Sequence, residues 1–151
     1  YRGEPHRVEY VMTANSVDYI DDSKGTNVGA TVAALEGLGA NGTRLVVILG
    51  GDGKGQDFSP IAQSMASHAR GAVLIGRDAP LIEKALEGAP YPIVHAKDMP
   101  EAVKKAAAMA QPHDCVLLSP ACASWDMFKN YAERSAIFIE SAKALACHDQ
   151  Q

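Results

Sequence analysis

Leu45-Val46-Val47-Ile48-Leu49 runs directly into Gly50-Gly51-Asp52-Gly53-Lys54-Gly55-Gln56-Asp57, and Ser59-Pro60 follows. Five apolar residues without alternation read as a strand covered on both faces, as in a parallel sheet. The glycine-rich stretch reads as a turn. Ser59 reads as an N-cap with proline in the first helical turn, ahead of Ile61, Met65 and Ala69 on one helix face. Strand, polar turn and helix in that order are half of a βαβ unit.

Outward from this stretch the same order repeats. Further strands are expected at Ala72-Val73-Leu74-Ile75, Pro92-Ile93-Val94 and Cys115-Val116-Leu117-Leu118, with an opening hairpin from Val8 to Met12 and Val17 to Ile20. Thr26 is expected to cap a helix holding Val28, Val32 and Leu35. Asp78 precedes Pro80, Leu81, Ile82 and Ala85, and Gly88 can end that helix. Asp98-Met99-Pro100-Glu101 resembles a capping box before Val103, Ala106, Ala107 and Ala110. A last helix carries Ile137, Phe138, Ala142 and Leu145. No repeat, charge block or low-complexity linker divides residues 1–151, so one domain is expected. Its fold class is α/β: a Rossmann-like, doubly wound, mostly parallel sheet with helices on both faces and an N-terminal hairpin.

Composition narrows the function. Of 151 residues, 47% are hydrophobic and 21% charged, which is globular and not disordered. A formal net charge of −4 gives no basic field for nucleic acid or an anionic membrane. Any bound anion must therefore be held by a few placed cations. The cysteines at 115, 122 and 147 show no paired spacing and the histidines are scattered, so no metal site is expected and the thiols should be reduced. Tyr1-Arg2-Gly3-Glu4-Pro5-His6-Arg7 has no apolar signal region, and no run is long enough to span a bilayer. A cytoplasmic protein is expected, with its first residue reading as a cut from something longer.

In open parallel sheets, ligands bind beyond the carboxyl ends of the strands. Three polar loops fall there: Asp21-Asp22-Ser23-Lys24-Gly25-Thr26-Asn27, Gly50 to Asp57, and Ser119-Pro120-Ala121-Cys122-Ala123-Ser124. They offer lysines, hydroxyls and backbone N–H groups, the parts of a site for an anionic ligand. The second loop is not a P-loop. Gly53-Lys54 is followed by Gly55 where a magnesium-binding hydroxyl is needed, and Ile48 stands at the first glycine position.

These loops, with Asp57-Phe58, with Asp126, Phe128, Lys129 and Asn130, and with Pro5-His6-Arg7 at the start, resemble in order the C-terminal domain of MurD-type Mur ligases. That family adds D-glutamate to UDP-N-acetylmuramoyl-L-alanine at the expense of ATP, in peptidoglycan synthesis. The resemblance implies that ATP and Mg2+ are held mainly by a central domain, the UDP-sugar by an N-terminal one, and that this chain, as part of a monomer, supplies the D-glutamate pocket and is inactive alone. Carried over by position, Lys54 and Thr26 hold the α-carboxylate of D-glutamate, and Ser124 with the backbone N–H of Tyr131 holds its γ-carboxylate. Arg7, Asp22 and Lys24 face ATP, with Lys24 also the catalytic cation near the terminal phosphates. Position 131 is more familiar as phenylalanine.

Blander readings stand beside these. Thr26 and Ser124 could serve as local caps, Lys24 and Lys54 as solvated lysines, and Asp52 and Asp57 as organisers of a tight glycine turn. Cys122 reads as a small buried thiol. The alternative function is a stand-alone α/β module binding a nucleotide or phosphorylated metabolite. A weaker third, a hydrolase using Ser124 or Cys122, lacks a GxSxG elbow.

Overall fold

The computed structural model describes residues 9–23, 27–51, 55–122 and 130–149, with backbone only for residues 131 and 146–149. The described elements are β1 (Glu9–Ala14), β2 (Val17–Asp21), α1 (Val28–Gly39), β3 (Leu45–Gly50), α2 (Ser59–His68), β4 (Ala69–Ile75), α3 (Ala79–Ala85), β5 (Ile93–His95), α4 (Met99–Met109), β6 (Cys115–Leu118) and α5 (Tyr131–Asp149).

These strands form one sheet in the order β1-β2-β6-β3-β4-β5. The β1–β2 pair is antiparallel, and the pairs β2–β6, β6–β3, β3–β4 and β4–β5 are parallel. The hairpin turns on Asn15 and Ser16, with φ of 53° and 64°, as a two-residue primed turn requires. From β3 the chain steps outward to β4 and β5. It then returns as α4 and inserts β6 between β2 and β3. The expected doubly wound α/β sheet with an opening hairpin is thus the observed fold.

Period-two alternation divides the core into two layers. Leu45, Val47 and Leu49 pack with Leu35 of α1, Ile61 and Met65 of α2, and Ile82 of α3. Val46 and Ile48 pack on the other face with Val103 and Ala106 of α4 and Phe138 and Ala142 of α5. The five residues Leu45–Leu49 are all 0% exposed, which is why this strand reads as a continuous apolar run. Each such side chain contributes about 1.5–3 kcal/mol.

Several boundaries differ from expectation. Thr26 is not the cap of α1; Asn27 is, and its Oδ1 accepts from the Ala30 N–H at 2.8 Å. Ser59 is already helical. Phe58 is the N-cap residue, and Asp57 just before it supplies the side-chain acceptor, its Oδ1 accepting from the Ser59 N–H at 3.0 Å and the Ser59 hydroxyl at 2.7 Å. Those two donors hold the Asp57 carboxyl below its ordinary range. Ala69 leaves the helix and opens β4, where it pairs with Leu45. At α4, Asp98 accepts from the Glu101 N–H at 2.9 Å, but Glu101 reaches back to the N–H of Lys97, one residue before the position of a capping box. Pro92, which has no N–H to donate, lies just outside β5 and contributes its carbonyl to Ala72 at 3.0 Å.

Among the described residues, no helix is long and apolar enough to cross a membrane.

Candidate functional site

The carboxyl ends of β2, β6 and β3 lie side by side, Asp21 paired with Leu118 and Leu118 with Ile48. The loops after β2 and β3 lead to α1 and α2 on one face. The loop after β6, between them, leads to α5 on the opposite face. Chains that part in opposite directions from neighbouring strands open a crevice at the strand ends. All three polar loops of the sequence start at this crevice.

Side chains tie the loop bases together. The Ser119 hydroxyl donates to Asp22 Oδ2 at 2.8 Å, and the Thr31 hydroxyl of α1 donates to the Ser119 carbonyl at 3.1 Å. Gly50 N–H donates to the Pro120 carbonyl at 3.0 Å. Gln56, in the loop after β3, joins the start of α1 to the loop after β6: its Oε1 accepts from Val28 N–H at 2.8 Å, and its Nε2 donates to the Ala121 carbonyl at 2.9 Å. From α5, Arg134 donates through Nη1 to the Cys122 carbonyl at 3.0 Å and through Nη2 to the Ser23 carbonyl at 2.9 Å. Its neighbour Ser135 donates to Asp21 Oδ2 in a short bond, while Asp21 Oδ1 accepts from Ser23 N–H at 2.9 Å.

The result is a buried polar floor. Asp21, Asp22, Ser23, Thr31, Ser119, Arg134 and Ser135 are each 0% exposed. Such groups hold one geometry because every lost bond strands a desolvated partner. Two atoms are exceptions, Ser23 Oγ and Arg134 Nε, each buried without a hydrogen-bond partner among the described residues. Gly50 sits in the same floor at φ 134°, and a Cβ there would lie 1.8 Å from the Ile75 carbonyl oxygen. Only glycine lets β3 pass so close to β4 as it enters the second loop.

Of the site residues expected from sequence, Asp22 is described, fully buried and bonded to Ser119. Tyr131 opens α5, and its N–H belongs to the first turn, where helix geometry leaves donors without intrahelical acceptors. Arg7, Lys24, Thr26, Lys54 and Ser124 lie outside the described residues, as does Asp52. Their described neighbours, Ser23 and Asn27, Gly51 and Gly55, and Cys122, border this crevice. Cys122 is buried and not in a disulfide. Among the described residues no group of three or more His, Cys, Asp or Glu side chains could hold a metal ion.

Sequence reasoning passed over Gln56 and Arg134. Arg134 did leave a signal, since 134, 138 and 142 are spaced by four and the latter two form the apolar stripe of α5. A charged residue on that stripe has to find buried acceptors.

Residues 6–122 match the family described as Mur ligase, glutamate ligase domain. The chain belongs to this family. Its relatives within the Mur ligases include the UDP-N-acetylmuramoylalanine–D-glutamate ligase of a Polaromonas species, 60% identical over 97% of this chain and 25% of that protein. The enzyme of the same name from Bordetella parapertussis is 59% identical over 97% of this chain and 28% of its own length. The chain therefore spans about a quarter of the length of these Mur ligases. The solved MurF ligase of Thermotoga maritima, a complex with ADP, shares the fold: TM-score 0.62 at 16% identity, covering 99% of this chain and 33% of that one. Membership of a Mur ligase family favours the ligase expectation over a stand-alone sensor module.

Proposed function

We propose that this chain is the D-glutamate-binding domain of an ATP-dependent ligase that joins D-glutamate to UDP-N-acetylmuramoyl-L-alanine in peptidoglycan synthesis. The observation that carries the reading is the bonded convergence of three loop bases on one crevice, in a chain 60% identical to a ligase of that name. Each of those loops holds a residue suited to a small dicarboxylate.

In this reading Lys54 and Thr26 bind the α-carboxylate, and Ser124 with the Tyr131 N–H binds the γ-carboxylate. Charge-assisted bonds of this kind are about twice as strong as neutral ones. ATP supplies the phosphoryl group that turns the L-alanine carboxylate into an acyl phosphate. The amine of D-glutamate attacks that carbonyl, loses a proton and expels inorganic phosphate. The work of this chain is to hold both carboxylates so that the amine has one line of approach. Lys24 offsets the charge of the transferring phosphoryl group, and Arg7 and Asp22 border the nucleotide. Mg2+ is assigned to the rest of the enzyme, as the resemblance to MurD-type ligases implies, and no step here runs through it. A cytoplasmic location fits the buried thiols of Cys115 and Cys122, neither of which is in a disulfide.

The test is phosphate release by the gene product that carries this chain, given ATP, UDP-N-acetylmuramoyl-L-alanine and one amino acid at a time. Release that depends on D-glutamate, and not on L-glutamate, D-aspartate or L-alanine, is expected. Release that depends on a different amino acid overturns the assignment.

A further inference from the structure

We infer that Gln56 is a positioning residue that sets the spacing of the amino-acid pocket and thereby its preference for diacid length. This rests on the reading of Thr26, Lys54 and Ser124 as the groups that hold D-glutamate. Gln56 itself is not assigned contact with the substrate.

The Gln56 side chain ends in one planar amide. Its oxygen accepts from the Val28 N–H at 2.8 Å and its nitrogen donates to the Ala121 carbonyl at 2.9 Å. The amide of Gln presents a neutral donor and acceptor locked in one plane, so the two bonds fix the first turn of α1 and the loop after β6 relative to each other. The anchor of the amide is the loop after β3. Along the chain, Val28 is two residues beyond Thr26, Gln56 two beyond Lys54, and Ala121 three before Ser124. Two or three residues of backbone reach at most roughly 7–11 Å. A single side chain thus joins three backbone points that each stand within a short reach of one proposed carboxylate ligand.

Ala121 adds an independent sign of constraint. It is held at φ 66° and is fully buried. A non-glycine residue stays in the left-handed region only where its surroundings impose it, and the Gln56 amide is one of the groups bonded to it. The bond between Gly50 N–H and the Pro120 carbonyl holds the same loop from its other side. With backbone fixed on both sides of Pro120-Ala121, the separation between the α-carboxylate side and the γ-carboxylate side is set by the length of the Gln56 side chain.

The experiment compares wild type with Gln56→Leu, Gln56→Asn and Gln56→Glu in the gene product that carries this chain. Steady-state constants are measured for D-glutamate, D-aspartate and D-2-aminoadipate, with thermal melts alongside. Gln56→Leu removes both bonds. Gln56→Asn keeps the amide but shortens its reach. Gln56→Glu keeps the acceptor for Val28 and sets a carboxylate against the Ala121 carbonyl. The expected result is a KM for D-glutamate raised about tenfold, as for loss of one well-aligned hydrogen bond, with kcat changed less and KM for ATP little altered. The ratio of kcat/KM for D-glutamate over the shorter and longer diacids should fall in the same variants.

Variants that melt earlier but keep the wild-type KM and the wild-type ratio overturn the inference and leave the proposed function standing. A wild-type enzyme that does not use D-glutamate overturns both. Should Gln56→Leu fail to fold, Gln56→Asn and Gln56→Glu, which each retain a polar group at the position, give the same comparison.

Discussion

The Ser119 hydroxyl donates to Asp22 Oδ2 at 2.8 Å, joining the loops after β6 and β2 across 97 residues of sequence. Both residues are 0% exposed. A buried carboxylate deprived of one donor keeps its desolvation cost. Ser119→Ala should therefore destabilise the fold by about 1–3 kcal/mol, or roughly 2–10 °C in the melting temperature of a domain of this size. Thermal denaturation followed by circular dichroism measures it. A melting temperature within a degree of wild type would mean that the bond carries no net stability.

Arg134 ties Ser23 and Cys122 through their carbonyls, and no part of it reaches solvent. Arg134→Met approximates the aliphatic stem but strands two buried acceptors. The expected loss is about 2–5 kcal/mol, and Arg134→Lys, with one point charge in place of a fork, should recover less than half of it. Urea denaturation of the three forms checks the order. Equal stability of the Lys and wild-type forms would contradict a role for the forked geometry.

Alkaline pH should weaken the fold through two buried acids. Burial pushes the Cys115 thiol from near 9 up to about 12, helped by the negative charges of Asp18 and Asp114, and pushes the Tyr91 hydroxyl from 10 to about 12. Both are raised, so each favours its neutral form in the folded state. Their stabilisation is complete below the unfolded values of about 9 and 10, and is lost as pH climbs toward 12. Unfolding free energy should fall with a slope of up to about 1.4 kcal/mol per pH step for each group in that range. Cys115→Ala should show a shallower decline above pH 9 than wild type. Parallel curves for the two proteins would remove Cys115 from the account.

How much of this was legible in the sequence depends on where each signal lives. Leu45–Leu49 and Cys115–Leu118 are buried on both faces, so their apolar runs speak for themselves. The apolar spacings of α4 and α5 were equally plain. Strand order was not legible, because nothing local in Cys115–Leu118 says that it enters between β2 and β3 rather than beyond β5. Ala69 satisfied a helical period as well as it satisfies a strand, and the pairing with Leu45 decided the matter. Asn27 won the cap of α1 from Thr26 through a choice between adjacent capping residues that composition cannot make. At the crevice, the loops were visible as polar interruptions between apolar runs, glycine-rich in the one after β3. Gln56 was not, since its partners are backbone groups 28 and 65 residues distant, and Arg134 left only its place on the apolar stripe of α5, with nothing to name its partners 12 and 111 residues away.

In the proposed diacid site, Lys54 is the cation that matters most. The decisive measurement is the KM for D-glutamate of Lys54→Ala beside wild type, in the gene product that carries this chain, at saturating ATP and UDP-N-acetylmuramoyl-L-alanine. Loss of a charge-assisted bond to a carboxylate predicts a rise of roughly 10- to 100-fold, with the KM for ATP nearly unchanged. A KM for D-glutamate equal to that of wild type would contradict the account.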